Sequence, residues 1–227
     1  RRRFIFVPFG RSTAALNEVD EFPTSRLRMR APSFFPEPIM KKFLPLSLLL
    51  AALPVFAQDV AALTADTKKT VLPVVPKVVN AMQEAVAAKG VAGAIPVCKD
   101  TAPALVKEKR DETGWSIRRV SLKTRNAERA TPDLWEARQL ADFNIRAANG
   151  EKLDTMEKSE IVTIDGKQVF RYMKALPAAD VCLNCHGPAD KLDAGLKTEL
   201  GKYYPHDQAT GYTKGQIRGA LTVKRPL

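Results

Sequence analysis

Cys182-Leu183-Asn184-Cys185-His186 sets two thiols three positions apart and follows the second at once with an imidazole. This is the attachment pattern of haem c. Each thiol can add to one vinyl group of the porphyrin to form a thioether, and the next side chain can swing under the ring to place its nitrogen on iron. Cys182 and Cys185 are therefore the expected attachment points of one covalent haem, with His186 as its proximal ligand. Shuffling the three cysteines and two histidines through this composition reproduces the pattern about twice in ten thousand trials. Two other readings compete. A zinc ion held by Cys182, Cys185 and either His186 or His206 would suit a structural knuckle, although adjacent Cys185 and His186 strain to reach one tetrahedral ion. A Cys182–Cys185 disulfide is the other.

The third cysteine, Cys98, is left over. An exported protein tends to lose free thiols to oxidation, and an iron with one vacant axial position offers this one a second role. His206, Met82, Met156 and Met173 are the remaining candidates for that position. A methionine opposite histidine raises the potential, whereas an anionic thiolate stabilises ferric iron and lowers it. Spacing alone does not separate Cys98 from the methionines.

The elements that must position these residues follow from pattern. Residues 59–89 carry helical apolar spacing up to Gly90, with Pro73 and Pro76 expected to split the helix. A second helical stretch spans about 93–111 and contains Cys98. Residues 115–122 read as a strand, and a helix opens at Thr131-Pro132, with Thr131 as its cap, and runs to about Ala148. Asp165-Gly166 between two β-rich runs predicts a tight hairpin. A Cys-rich loop at 181–188, a helix at about 190–200 and a last strand at about 216–224 complete the order. It suits an α+β fold: an antiparallel sheet with helices packed on one side. Arg119, Lys123 and Arg125, near one end of the first strand, are candidate contacts for haem propionates, because guanidinium matches a carboxylate with two parallel hydrogen bonds. Phe143, Phe170 and Tyr172 read equally well as porphyrin contacts or as core.

The 227 residues are 45% hydrophobic and 27% charged, which excludes collagen-like and strongly disordered classes. The net charge of +11 is uneven: residues 1–57 hold nine basic and four acidic side chains, so 58–227 carry only +6. No basic-aromatic run points to nucleic acid. Met40-Lys41-Lys42, eleven mostly apolar residues from Phe43 to Leu53, and small residues ahead of a cut after Ala57 form a secretory signal, too short to span a bilayer comfortably. Residues 1–39, rich in Arg and Pro, read as an upstream or non-native extension, 40–57 as the signal peptide and 58–227 as one haem-binding domain. The mature protein is thus expected in the periplasm or secreted, with no stable membrane span.

Ala94-Ile95-Pro96-Val97-Cys98, Arg119 to Asn126, Trp135-Glu136, Cys182 to His186, Gly211-Tyr212 and Gly215 to Ala220 together resemble the Tll-type secreted mono-haem proteins over residues 60–224. The resemblance implies a PAS-like antiparallel sheet with N-terminal helices packed on it, haem on the Cys-x-x-Cys-His motif, and His186 with Cys98 as the axial pair. One departure is Ala127 where that family has proline. Three functions differ in what the distal side does. A redox carrier keeps the iron saturated, a sensor of redox state or of nitric oxide or carbon monoxide releases Cys98, and a haem enzyme needs an open iron with acid-base groups, few of which are at hand. Electron transfer or redox sensing with a separate partner protein, without catalysis, is the expected function; a gas sensor is the alternative.

Overall fold

The computed structural model describes residues 59–227. The extension at 1–39 and the signal at 40–57 lie outside the described residues. Asp59 opens α1 (Val60–Val71), its side chain accepting the Ala61 N–H at 2.8 Å. Pro73 then breaks the chain, and α2 (Val74–Gly93) begins directly after it. Pro76 falls in the first turn of α2, where a missing N–H is tolerated, so only one of the two prolines splits the helix.

Gly90, at φ +70°, interrupts the helical path of α2. The stretch expected as one helix over 93–111 is divided: α3 spans Ala102–Thr113, and Val97–Thr101, carrying Cys98, forms one wide π turn ahead of it. Pro103 supplies a reason, because it has no N–H to give the Lys99 carbonyl. Arg129 donates to that carbonyl instead, at 3.2 Å.

The sheet comprises β1 (Ser116–Val120), β2 (Glu157–Ile164), β3 (Lys167–Pro177) and β4 (Ile217–Pro226) in the order β1-β4-β3-β2, antiparallel throughout. Asp165 and Gly166 both take positive φ at the tip of the β2–β3 hairpin, as the sequence predicts. Between β1 and β2 lie α4 (Ala127–Ala130), capped by Asn126, and α5 (Leu134–Ala148). The cap of α5 is not Thr131 but Asp133, which forms a reciprocal capping box with Glu136. An Asp with a Glu three residues on satisfies two orphan N–H groups, and Thr131-Pro132 offers no such pair.

Alternation along the strands splits the core in two. Val120, Met173, Ala175 and Ala220 face α5 and pack with Leu140, Phe143 and Met156. Ile117, Phe170, Tyr172, Leu221 and Val223 face the other way and pack with Val71, Leu63, Val75 and Val106 of the N-terminal helices. Helices therefore cover both faces, not one. The reason is in β4, whose residues from Ile217 to Val223 are all buried and leave neither face to water.

Gly219 lets β4 approach β1. At φ +155°, a Cβ there would meet the Val120 carbonyl oxygen at 2.3 Å. Gly219→Ala should destabilise the fold by about 2–4 kcal/mol, combining backbone strain with steric overlap. A lower urea midpoint at unchanged slope is the expected readout, and an unchanged midpoint would refute the close approach.

Candidate functional site

The Cys-rich segment expected as a loop is a short helix, α6 (Asp180–His186), ended by Gly187. Helical winding places Cys182 and Cys185, three apart, on one side of it. Cys185 is buried among Ile95, Leu192, Leu196, Leu200 and Tyr204, a small cluster beneath the end of α2 and the face of α7 (Ala194–Tyr203). Cys182 is half-buried, and both are free thiols, as is Cys98, so there is no disulfide between Cys182 and Cys185. Desolvation pushes the Cys185 thiol up to about 11, with the nearby Cys98 adding to the effect.

His186 is held in one tautomer. Its Nδ1 lies 2.7 Å from the Ala209 carbonyl oxygen, which can only accept, so Nδ1 carries the proton and Nε2 keeps a free lone pair. Burial, reinforced by Arg218, Arg125 and Arg119, pulls the His186 pKa well below its ordinary value and keeps the ring neutral. A neutral imidazole, oriented by a carbonyl on its far nitrogen, is the form that binds a transition metal. The Tyr212 ring meets His186 edge-on, with centroids 6.4 Å apart.

Two loops clamp this helix. Arg125 donates from Nη2 to the Cys185 carbonyl at 2.6 Å and from Nε to Asp207 at 3.0 Å. Asp207 in turn accepts the Ala209 N–H at 2.8 Å, fixing the carbonyl that orients His186. The backbone N–H groups of Gly211 and Tyr212 donate to the carbonyls of Gly187 and His186 at 2.8 and 2.9 Å. Arg125 thus has two of its three nitrogens committed, one to α6 and one to Asp207, while among the described residues Nη1 is buried without a partner.

Cys98 faces the same interior. Burial raises its pKa, against which Arg125, Arg119 and Arg218 act to lower it. Arg119 is more than a third exposed, yet desolvation still pulls its pKa down, and its field couples to Cys98 and Cys182. Lys123 sits at the edge: its ammonium donates to the Thr210 carbonyl and lies 4.5 Å over the Tyr212 ring.

The other residues singled out in the sequence fall elsewhere. Met156 and Met173 are fully buried on the α5 face, away from Cys98 and α6, which removes them as axial candidates. Phe143, Phe170 and Tyr172 belong to the two sheet cores, so the core reading holds for all three. His206 is exposed in a turn, and Met82 is half-buried on α2. Among the described residues no three His, Cys, Asp or Glu side chains are grouped to hold a metal ion, so the zinc reading lacks a ligand set. The structure adds Arg218, 4% exposed, which donates to Ser121 Oγ at 3.0 Å. Its signal in the sequence is one arginine inside an apolar strand, Ile217 to Val223.

These residues fit a porphyrin. Two thiols on one helix side, a neutral imidazole with Nε2 free, a third thiol on a separate element, and buried arginine nitrogens without acceptors are the donor set such a group requires. On the outer side of α6 an open groove of about 500 Å³ is lined by Leu183, Asn184, Tyr212 and Val91.

A family model described as Tll0287-like matches residues 52–226. Among solved structures, the fold is similar to the crystal structure of the cyanobacterial heme-protein Tll0287, with a TM-score of 0.52 and 20% sequence identity over 71% of this chain and 95% of that one. Among curated proteins, none matches the sequence.

Proposed function

Because the chain belongs to the Tll0287-like family, we propose that it is a c-type mono-haem protein of electron transfer or redox sensing. In this reading Cys182 and Cys185 hold the haem covalently, His186 is the proximal ligand and Cys98 the distal one. The haem-protein title of the structural neighbour supports the cofactor. The observation that carries the reading is the fixed tautomer of His186, whose Nδ1 is engaged by Ala209 beside two free thiols on the same helix.

When bound, haem supplies a one-electron ferric/ferrous couple. The chain's own residues set the conditions for it. Asp207 and Arg125 hold the loop carbonyl and α6 in register, which fixes the direction of Nε2. Arg119, Arg125 and Arg218 offset part of the desolvation cost of a thiolate at Cys98. The side chains around the cleft are chiefly arginines, which do not exchange protons near neutral pH, so they tune a potential rather than serve as acid-base catalysts. The export segment at 40–57 supports a place outside the cytoplasm, where an unidentified redox or signalling protein is the partner.

Protein made with haem maturation machinery should show an added macrocycle by intact mass and a low-spin thiolate signature by electron paramagnetic resonance. Cys98→Ser should abolish that signature and raise the midpoint potential, shifting the ferric-to-ferrous ratio at least tenfold, ~59 mV for one electron. Identical spectra and potential would remove Cys98 from the iron.

The wide turn of Val97–Thr101, with the Gly90 break upstream, favours a second reading in which Cys98 leaves the iron and a diatomic gas takes its place. Carbon monoxide added to reduced protein separates the two: a shifted Soret band supports the gas sensor, and an unchanged one the saturated carrier.

A further inference from the structure

Arg218 was assigned no role by its place in the sequence, and its surroundings give it one. Only 4% of it is exposed. Nη1 donates to Ser121 Oγ at 3.0 Å and to the Lys123 carbonyl at 3.3 Å, while Nε is buried with no acceptor. Arg125, 9% exposed, likewise buries Nη1 without an acceptor. A buried donor left unpaired loses its hydration and gains nothing in return, so two in one cleft point to acceptors that a ligand supplies.

The charge balance points the same way. Arg119, Arg125 and Arg218 lie within range of one another's fields. Asp207 neutralises one of them, pairing with Arg125 at 3.0 Å with both side chains under a tenth exposed. Among the described residues neither Arg119 nor Arg218 has a carboxylate partner. Burying Arg218 uncompensated is unfavourable unless a counter-charge arrives with a ligand, and Arg119, exposed at the edge of the sheet, adds a second unpaired cation whose field reaches it. The mutual repulsion is felt at Arg218, whose pKa is pushed down to about 9 by desolvation first and by Arg119 next.

We propose that Arg218, with Arg125 and Arg119, forms a receptor for the two carboxylates of the porphyrin, and that Arg218 is its innermost member. This rests on the haem reading above and deepens it: the arginines select a dicarboxylate porphyrin and fix its rotation about the His186 axis. Of the basic residues expected near the propionates, Lys123 donates to the Thr210 carbonyl and lies over the Tyr212 ring, and it does not bury a donor without an acceptor as Arg125 and Arg218 do. A guanidinium in place of an ammonium also gives the parallel two-bond geometry a carboxylate prefers.

The test uses the full chain produced without maturation machinery, titrated with iron protoporphyrin and with its dimethyl ester, which lacks both charges. Wild-type protein should bind the diacid at least tenfold more tightly than the ester. Arg218→Gln should reduce that preference severalfold while leaving ester affinity unchanged, and Arg218→Lys should fall between. A purely structural role would weaken both porphyrins equally, and that result overturns the proposal, as does equal affinity of the wild type for the two. Displacement of the diacid by millimolar acetate would reassign the site to small anions and overturn it as well. The wild-type comparison stands even if a variant does not fold. Binding of neither porphyrin, together with no added macrocycle in matured protein, would instead defeat the haem reading itself. In matured protein, Arg218→Gln should leave the haem mass intact and lower the midpoint potential, because a cation that disfavours ferric iron has been removed.

Discussion

Cys182→Ala combined with Cys185→Ala is expected to leave matured protein with no haem that survives acid-acetone, a change from full to zero covalent occupancy. The two thiols share one side of a single short helix, and no other cysteine lies on it, so no substitute exists for either. The single variants should differ. Cys185 is 9% exposed and fixed within an apolar cluster, with its carbonyl held by Arg125. Cys185→Ala should therefore lose about 1 kcal/mol or more of stability as well as one thioether, in line with truncation of a buried side chain. Half-buried Cys182 should lose its thioether at little cost in stability. Intact mass, the pyridine haemochrome spectrum and the urea midpoint of each variant check all three statements. Colour that resists acid-acetone in the double variant would overturn the attachment.

What makes that motif legible is a chemistry that tolerates no variation in spacing: in the proposed attachment, two vinyl groups and one iron would dictate where two thiols and an imidazole stand in the chain. The hairpin at Asp165-Gly166 was legible for a similar reason, because the turn demands positive φ at both positions. Features set by tertiary packing were not. Met156 and Met173 carry the same donor atom as any axial methionine, and only their packing against α5 shows that they lie away from the proposed haem site. The helical state of residues 180–186 depends on loops 121–126 and 207–213 closing around it, contacts more than twenty residues apart in sequence. Arg218 stands in the Gly215–Ala220 stretch without a visible function because its meaning lies in what it lacks among the described residues: an acceptor for Nε and a carboxylate partner. The same holds for coverage of the sheet. The apolar run of β4 was visible, but its consequence, a strand flanked by β1 and β3 and buried on both faces, required the pairing.

Glu136→Ala is the substitution expected to cost the fold most outside the cleft, about 3–5 kcal/mol, because it strips the fully buried anion from the network, leaving Arg118 without its carboxylate and Arg171 with Asp133 alone. Glu136 is fully buried. One carboxylate oxygen accepts from Arg118 of β1 and from the Asp133 N–H, and the other accepts from Thr222 of β4 at 2.9 Å and pairs with Arg171 of β3 at 3.2 Å. A single side chain of α5 thereby fastens the helix across three strands. Arg171 is also stacked 4.2 Å from the Trp135 ring and bonded to Asp133 at 2.8 Å, so it cannot turn to water when Glu136 is gone. Glu136→Gln keeps the acceptor for Thr222 and should cost less than the alanine variant. The pH dependence supplies an independent check. Burial opposes the charge on Asp133, yet the Glu136 N–H and the side chains of Arg171 and Lys224 outweigh it and hold its pKa at about 2, below the ordinary 3.8. A depressed carboxylate contributes stability that is present above pH 3.8 and is lost as pH falls through about 2. Wild-type protein should therefore weaken across that interval, and Asp133→Asn, which removes the titrating group, should show a shallower acid dependence. Because α5 covers the face of the sheet opposite Arg119, both Glu136 variants should, on the proposed haem reading, keep the wild-type haem spectrum up to the point of global unfolding. A urea midpoint within about 1 kcal/mol of wild type for the alanine variant would show that the ion network does not fasten the helix.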